Sequence, residues 1–140
     1  MGLKKMMVML LFVSQIISMC EAVSLIRITN FIGIDTTLKV QCKTFGKDDG
    51  VDDIGEKHLP PLASFEFKPS AGNKLVYRCM ASWERNKRYS FEINTPKRAK
   101  HDQNCWVFKR SGPCLCDCKR TSCAFNDDCY NWDYRWILQG

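Results

Sequence analysis

The sequence predicts an all-β protein, a small disulfide-stabilised antiparallel β-sandwich with a cysteine-rich C-terminal extension. Three observations carry this expectation. Apolar residues recur with a period of two in several separate runs, nine cysteines sit in a chain of 140 residues, and beyond the N-terminus no stretch sustains an apolar period of 3.6. One domain is expected at this length, and covalent bridges are how a small core is reinforced in an oxidising compartment.

The N-terminus departs from that pattern. Met1-Gly2-Leu3-Lys4-Lys5 leads into an apolar run from Met6 to Met19 and then Cys20-Glu21-Ala22. This reads as a secretory signal peptide over residues 1–22, cleaved after Ala22 at a small-x-small site. The run is shorter than the ~20 apolar residues a spanning helix needs. Cleavage leaves 118 residues with 19 basic and 14 acidic side chains, a charge of +5, and eight cysteines. An even count lets every thiol pair, and the product is expected to be secreted and extracellular.

The strands follow in order. Leu25 to Asn30 is short and β-branched. Leu38, Val40 and Cys42 alternate with Lys39, Gln41 and Lys43, the pattern of a strand with one buried and one wet face. The alternation recurs at Phe65 and Phe67, at Leu75, Tyr77, Cys79, Ala81 and Trp83, and at Tyr89, Phe91 and Ile93. Between these runs lie turn compositions at Gly33 with Asp35, 46–55, Pro60-Pro61, 69–73, 85–87 and 96–104. Cys42 and Cys79 share the apolar parity of their strands, so both are expected to face the core, as cysteines that pin a sandwich do. Connectivity stays open, because Cys105 and Cys114 are equally good partners for either.

The last third differs in kind. Cys114, Cys116 and Cys118 are evenly spaced and in an extended chain share a face. Each is expected to reach a different partner, with Cys123 and Cys129 as candidates. Tyr130, Trp132, Tyr134 and Trp136 then alternate with polar residues, as a closing strand with an aromatic stripe or as an aromatic tail. Such a stripe can be a sugar-stacking platform, but it is more often core.

The inventory for chemistry is thin. His58 and His101 are the only histidines, both in polar segments and neither accompanied by a nucleophile elbow, so no catalytic residue and no enzyme activity is expected. The Cys114, Cys116, Cys118 cluster could bind a soft metal as thiolates. A secretory leader, the even count and the absence of Cys-x-x-Cys spacing favour disulfides instead, with no metal and no cofactor. Asp48, Asp49, Asp52, Asp53 and Glu56 gather in one glycine-containing loop but lack the spacing of a calcium loop. Basic residues collect at Arg85, Lys87 and Arg88 and at Lys97, Arg98 and Lys100. Such a cationic face suits acidic membrane proteins, pectin-like polyanions or nucleic acid, although without interleaved aromatics a solvated surface is the ordinary reading.

Read in order, several segments resemble the plant self-incompatibility protein family, the S-protein homologues. They are Ile26-Arg27-Ile28-Thr29-Asn30, Leu38 to Thr44, Asp53-Ile54-Gly55 with His58 and Leu59, and Phe65-Glu66-Phe67. Tyr77-Arg78-Cys79 with Trp83, and Cys105-Trp106 leading to Gly112-Pro113-Cys114, complete the set. The resemblance covers residues 24–117 and implies a secreted sandwich of two antiparallel sheets with two disulfides, drawn from Cys42, Cys79, Cys105 and Cys114. Members of known role are stigma-secreted ligands, recognised by a pollen membrane protein, that arrest incompatible pollen. Recognition in the family is attributed to variable hydrophilic loops, which correspond here to Gly46 to Lys57, Arg85 to Arg88 and Pro96 to Asn104.

Three departures accompany it. Gln41 stands where the family commonly has histidine, Pro60-Pro61-Leu62-Ala63 lacks the usual glycine, and Cys116, Cys118, Cys123 and Cys129 are additional. The expected organisation is a signal peptide (1–22), a sandwich (23–117) and a Cys- and aromatic-rich extension (118–140). The expected function is that of a non-enzymatic, monomeric ligand for a membrane receptor on a target cell, with neither nucleic acid nor a small-molecule substrate as partner. The alternative is a cationic, disulfide-rich defence protein acting on microbial surfaces.

Overall fold

Alternating side chains sort the strands onto two packed sheets in the computed structural model, which describes residues 5, 23–44, 52–69, 76–119 and 128–138. The expected signal peptide, apart from Lys5, therefore lies outside the described residues, as do Asp48, Asp49 and Cys123. Ten strands are formed among the described residues: β1 (Leu25–Asn30), β2 (Leu38–Thr44), β3 (Asp53–Leu59), β4 (Ser64–Phe67) and β5 (Tyr77–Ser82), then β6 (Lys87–Glu92), β7 (Gln103–Lys109), β8 (Gly112–Asp117), β9 (Asp128–Cys129) and β10 (Tyr134–Ile137). One sheet has the order β4-β1-β7-β8-β9 and the other β10-β6-β5-β2-β3. No described helix is long and apolar enough to cross a membrane.

The core lies between the sheets and is built by the parities expected from the sequence. Ile26 and Ile28 on β1, Leu38, Val40 and Cys42 on β2, Tyr77, Cys79 and Ala81 on β5, and Phe91 on β6 are all buried in it. Trp106 and Phe108 on β7 and Leu115 on β8 close it from the first sheet. Burying side chains of this size contributes about 1.5–3 kcal/mol each before entropy is charged. Asn30 continues the inward parity of β1 and is fully buried, which its hydrogen bonds permit. Its amide donates to Thr36 O (2.8 Å) and Leu59 O (2.9 Å), and its Oδ1 accepts from the Ile32 amide (2.9 Å).

Several expectations need correction. The loop expected over residues 46–55 gives way to strand β3 from Asp53, and the one over 96–104 gives way to β7 from Gln103. All strand pairs are antiparallel except β1 and β7, which run parallel in register from Leu25 opposite Gln103 to Asn30 opposite Phe108. Alternation fixes which face a residue takes but not the direction of its neighbour. The aromatic stripe divides: Tyr130 and Trp132 pack against the core, whereas Tyr134 and Trp136 stand exposed on β10.

The cysteines also sort differently. Cys42 bonds Cys79, directly opposite on the neighbouring strand with Cα atoms 4.0 Å apart, so this bridge joins two strands of one sheet and does not pin sheet to sheet. Cys105 bonds Cys118, and Cys114 bonds Cys129. Cys105 shares its parity with Val107 and lies opposite Arg27, on the face turned away from the core. It is therefore no partner for Cys42 or Cys79. Two of the cysteines expected in a separate C-terminal cluster close onto β7 and β8 instead. Cys116 is also disulfide-bonded, to a partner outside the described residues.

Candidate recognition surface

The registers decide which charged residues share a neighbourhood. Thr44 lies opposite Tyr77 and Arg78 opposite Glu92, so the β2–β3 connection and the β6–β7 loop leave the same end of the second sheet. Lys39 lies opposite Ser82, which places the β5–β6 turn, with Arg85, at the other end. The acidic segment and the basic segment of Lys97, Arg98 and Lys100 thus share one end of the second sheet, and the basic segment that begins at Arg85 stands at the other.

At the first end most of the charges on described residues are engaged. Asp52 accepts from the Tyr77 hydroxyl, and its amide donates to Thr44 Oγ1 at 2.9 Å. Asp53 accepts from the Gly55 amide (2.9 Å) and from Gln41 Nε2, which hold its carboxyl below the usual range. Lys100 reaches Asp128 at 2.8 Å, a hydrogen bond that raises its pKa. Arg98 is sequestered: it donates to Glu92 O (2.7 Å) and to both oxygens of Asp133, with its side chain only 19% exposed. Lys97, next to it, is exposed and closes no ion pair among the described residues.

At the opposite end the β5–β6 turn is tied to two other connections. Glu84 meets Lys87 (3.1 Å) and Arg110 (3.1 Å), and the Lys87 hydrogen bond leads in lowering its pKa. Arg110 Nε also donates to Ile32 O at 3.1 Å. Arg85 at the tip is exposed, and Asn86 takes a left-handed φ of 62° that suits a tight turn. Lys87 and Arg88 lie on strand β6, outside the loop to which the sequence assigned them.

The outward face of the second sheet was missed as a site, although its signal was the polar half of the alternation in β2. Lys39, Gln41 and Lys43 stand there beside Arg78 and Ser82 of β5 and Arg88 of β6, lining a groove of about 370 Å³. Glu56 of β3 also lines it, 3.0 Å from His58, and the His58 hydrogen bond, then that of Lys39, lowers the Glu56 pKa. On the adjoining edge strand, Tyr134 and Trp136 stack with ring centroids 6.0 Å apart.

For chemistry the arrangement offers little. His58 is on β3 of the second sheet and His101 precedes β7 of the first, 3.9 Å from Asp117, so the two histidines are not brought together. Among the described residues no cluster of three or more His, Cys, Asp or Glu is placed to hold a metal.

Comparison with known sequences agrees with this architecture. The model of the family described as plant self-incompatibility protein S1 matches residues 25–136, and so runs through β9 and into β10. Among curated proteins, S-protein homolog 3 of Arabidopsis thaliana is 29% identical over 116 residues, covering 78% of this chain and 72% of its own. S-protein homolog 29 of the same plant is 28% identical over 129 residues, covering 84% of this chain and 87% of its own. A two-sheet, disulfide-braced sandwich and a family match from β1 to β10 lead to one conclusion: the chain belongs to the plant self-incompatibility protein S1 family.

Proposed function

We propose that the protein is a secreted, non-enzymatic ligand of plant cell–cell signalling, of the pollen–pistil recognition kind, that engages a membrane receptor through its charged connections. The observation that carries the reading is the contrast between Lys97 and Arg98. Arg98 is locked into the fold by Asp133, and Lys97 is thereby presented to solvent on a fixed loop, with no ion pair among the described residues. Fixed, exposed charge supplies specificity and encounter rate at a protein interface. Membership of the family supports the same reading.

The test measures binding of the mature protein to target-tissue membranes. Lys97→Glu is expected to weaken binding roughly tenfold, and Arg85→Glu reports whether the opposite end takes part. Membrane binding unchanged by both, with a folded variant, refutes the proposal. A defence protein acting on microbial surfaces draws on the exposed Tyr134, Trp136 and Ile137 of β10. It predicts salt-sensitive growth inhibition without any plant receptor.

A further inference from the structure

The outward face of the second sheet joins two chemistries that the sequence keeps far apart. Register places Lys39 opposite both His58 and Ser82, and Arg88 opposite Trp136. One row further along, Gln41 lies opposite Glu56 and Met80, and Tyr134 lies opposite Ser90. The groove between these rows is lined by the cations Lys39, Lys43, Arg78 and Arg88 and by the single acid Glu56. Lys39 shares its charge with Glu56 and Arg78 shares its own with Glu92. Lys43 feels Asp53 only at a distance, and neither it nor Arg88 closes an ion pair among the described residues. Among the described residues, the groove therefore carries positive charge at Lys43 and Arg88 that no ion pair takes up. A low-dielectric floor of β-sheet strengthens the field of such charges.

Beside Arg88, on the paired strand β10, stands an aromatic shelf. Trp136 is 41% exposed and Tyr134 62% exposed, stacked at an interplanar angle of 28°. From Lys39 on β2 to Trp136 on β10 is three strand spacings, ~14 Å, room for a few linked sugar rings. Exposed aromatic faces accept the C–H faces of sugars, Gln41 and Ser82 offer hydrogen bonds to hydroxyls, and the cations match carboxylates at intervals. We infer that this face binds an acidic polysaccharide: uronate carboxylates sit against Arg88, Lys43 and Lys39, and a sugar ring packs on Trp136 and Tyr134. The inference does not rest on receptor recognition, which was assigned to Lys97 and Arg85 on the connecting loops. It gives the molecule a second attachment, to the extracellular matrix.

The experiment titrates the mature, disulfide-intact protein with oligogalacturonate, following heat and tryptophan emission. Binding is expected to weaken steeply with salt, as screened charge requires. Trp136→Ala should weaken it about tenfold, as loss of an aromatic anchor does, while Trp136→Phe retains most of it. Arg88→Ala and Lys43→Ala, on interior strands that keep their pairing, should each weaken it several-fold and flatten the salt dependence. Lys68→Ala, away from this face, should leave it unchanged. Affinity unmoved by Arg88→Ala and Lys43→Ala overturns the inference, as does equal binding of a neutral glucan of the same length. Tighter binding to anionic phospholipid vesicles or single-stranded RNA than to oligogalacturonate overturns it as well.

Discussion

Arg98 holds Asp133 across 35 residues of sequence, with Nη2 2.8 Å from Oδ1 and Nη1 3.0 Å from Oδ2. Its guanidinium lies 4.0 Å from the centroid of the Phe91 ring and 5.2 Å from that of Tyr130. A planar, two-point pair stacked on aromatic faces is among the stronger forms of a charged contact. It fastens the β6–β7 loop to the chain that leads into β10. Arg98 therefore belongs to the fold, and a charge reversal there tests stability and not recognition.

Acid should release this clamp. Burial pushes the Asp133 carboxyl up, but hydrogen bonds from Arg98 and the Glu92 amide outweigh it and hold the group below its usual range. A depressed folded-state pKa gives stabilisation that is present above the unfolded value, near ~3.9, and is lost as pH falls through the folded one. Urea midpoints of the protein and of Asp133→Asn should differ near neutral pH and converge below pH ~4. Curves that stay parallel across that range would show that the carboxylate does not contribute through its charge.

Gly112 is a point of closest approach. It has φ of 144°, and a Cβ placed on it would lie 1.8 Å from the Tyr130 carbonyl oxygen. The chain before β10 thus runs directly over the start of β8, held by a Tyr130 amide bond to Pro113 O (2.9 Å) and by Trp132 Nε1 to Arg110 O (3.1 Å). Gly112→Ala should destabilise by about 3 kcal/mol, because backbone cannot yield as a flexible side chain can. Near-ultraviolet circular dichroism should lose part of the Trp132 signal; a variant as stable as the parent would contradict this contact.

Leu62 occupies a left-handed φ of 66° while 66% exposed. This is the stretch where the family resemblance called for a glycine. A non-glycine residue there costs about 1–2 kcal/mol, part of which glycine would return as greater freedom of the unfolded chain. Leu62→Gly should therefore stabilise the protein by about 0.5–1 kcal/mol, read as an increased thermal midpoint. A decrease would mean that Leu62 makes contacts worth more than its strain.

Three bridges use Cys42, Cys79, Cys105, Cys118, Cys114 and Cys129. Cys116 is also bonded, and Cys123 is the remaining cysteine after residue 22. Non-reducing peptide mapping should recover a Cys116–Cys123 peptide. Loss of that bridge in a Cys116→Ser, Cys123→Ser pair should cost about 2–4 kcal/mol. A free thiol at Cys116 would contradict the pairing, and a mature start at Val23 would support the expected cleavage.

Legibility followed local pattern. The buried faces of β2, β5 and β6 were readable because one side of each strand is wet, so Leu38, Val40 and Cys42 contrast with Lys39, Gln41 and Lys43. β7 and β8 were not, since both of their faces are largely covered and Cys105, Trp106, Cys114, Leu115 and Cys116 are all buried. Alternation vanishes when there is no water on either side. β3 was hidden for the opposite reason: as an edge strand it carries Asp53, Glu56, Lys57 and His58, a composition that reads as loop. Of the recognition candidates, Lys97 and Arg85 remained where the sequence put them, at exposed connections. Arg98 did not, because its partner Asp133 lies on another segment.

By itself the sequence determined what depends on neighbours along the chain: that strands would form, which of their side chains would face inward, and that the family would be the S-protein homologues. Side-chain parity is a property of an extended backbone and needs no knowledge of what packs on it. Tertiary structure alone decided which strands pair, that β1 and β7 run parallel, and that Cys105 and Cys114 close on Cys118 and Cys129. It also set Trp136 beside Arg88, 48 positions apart in the numbering. Those outcomes depend on loop closure and on the fit of distant faces, free energies that no local stretch of residues contains.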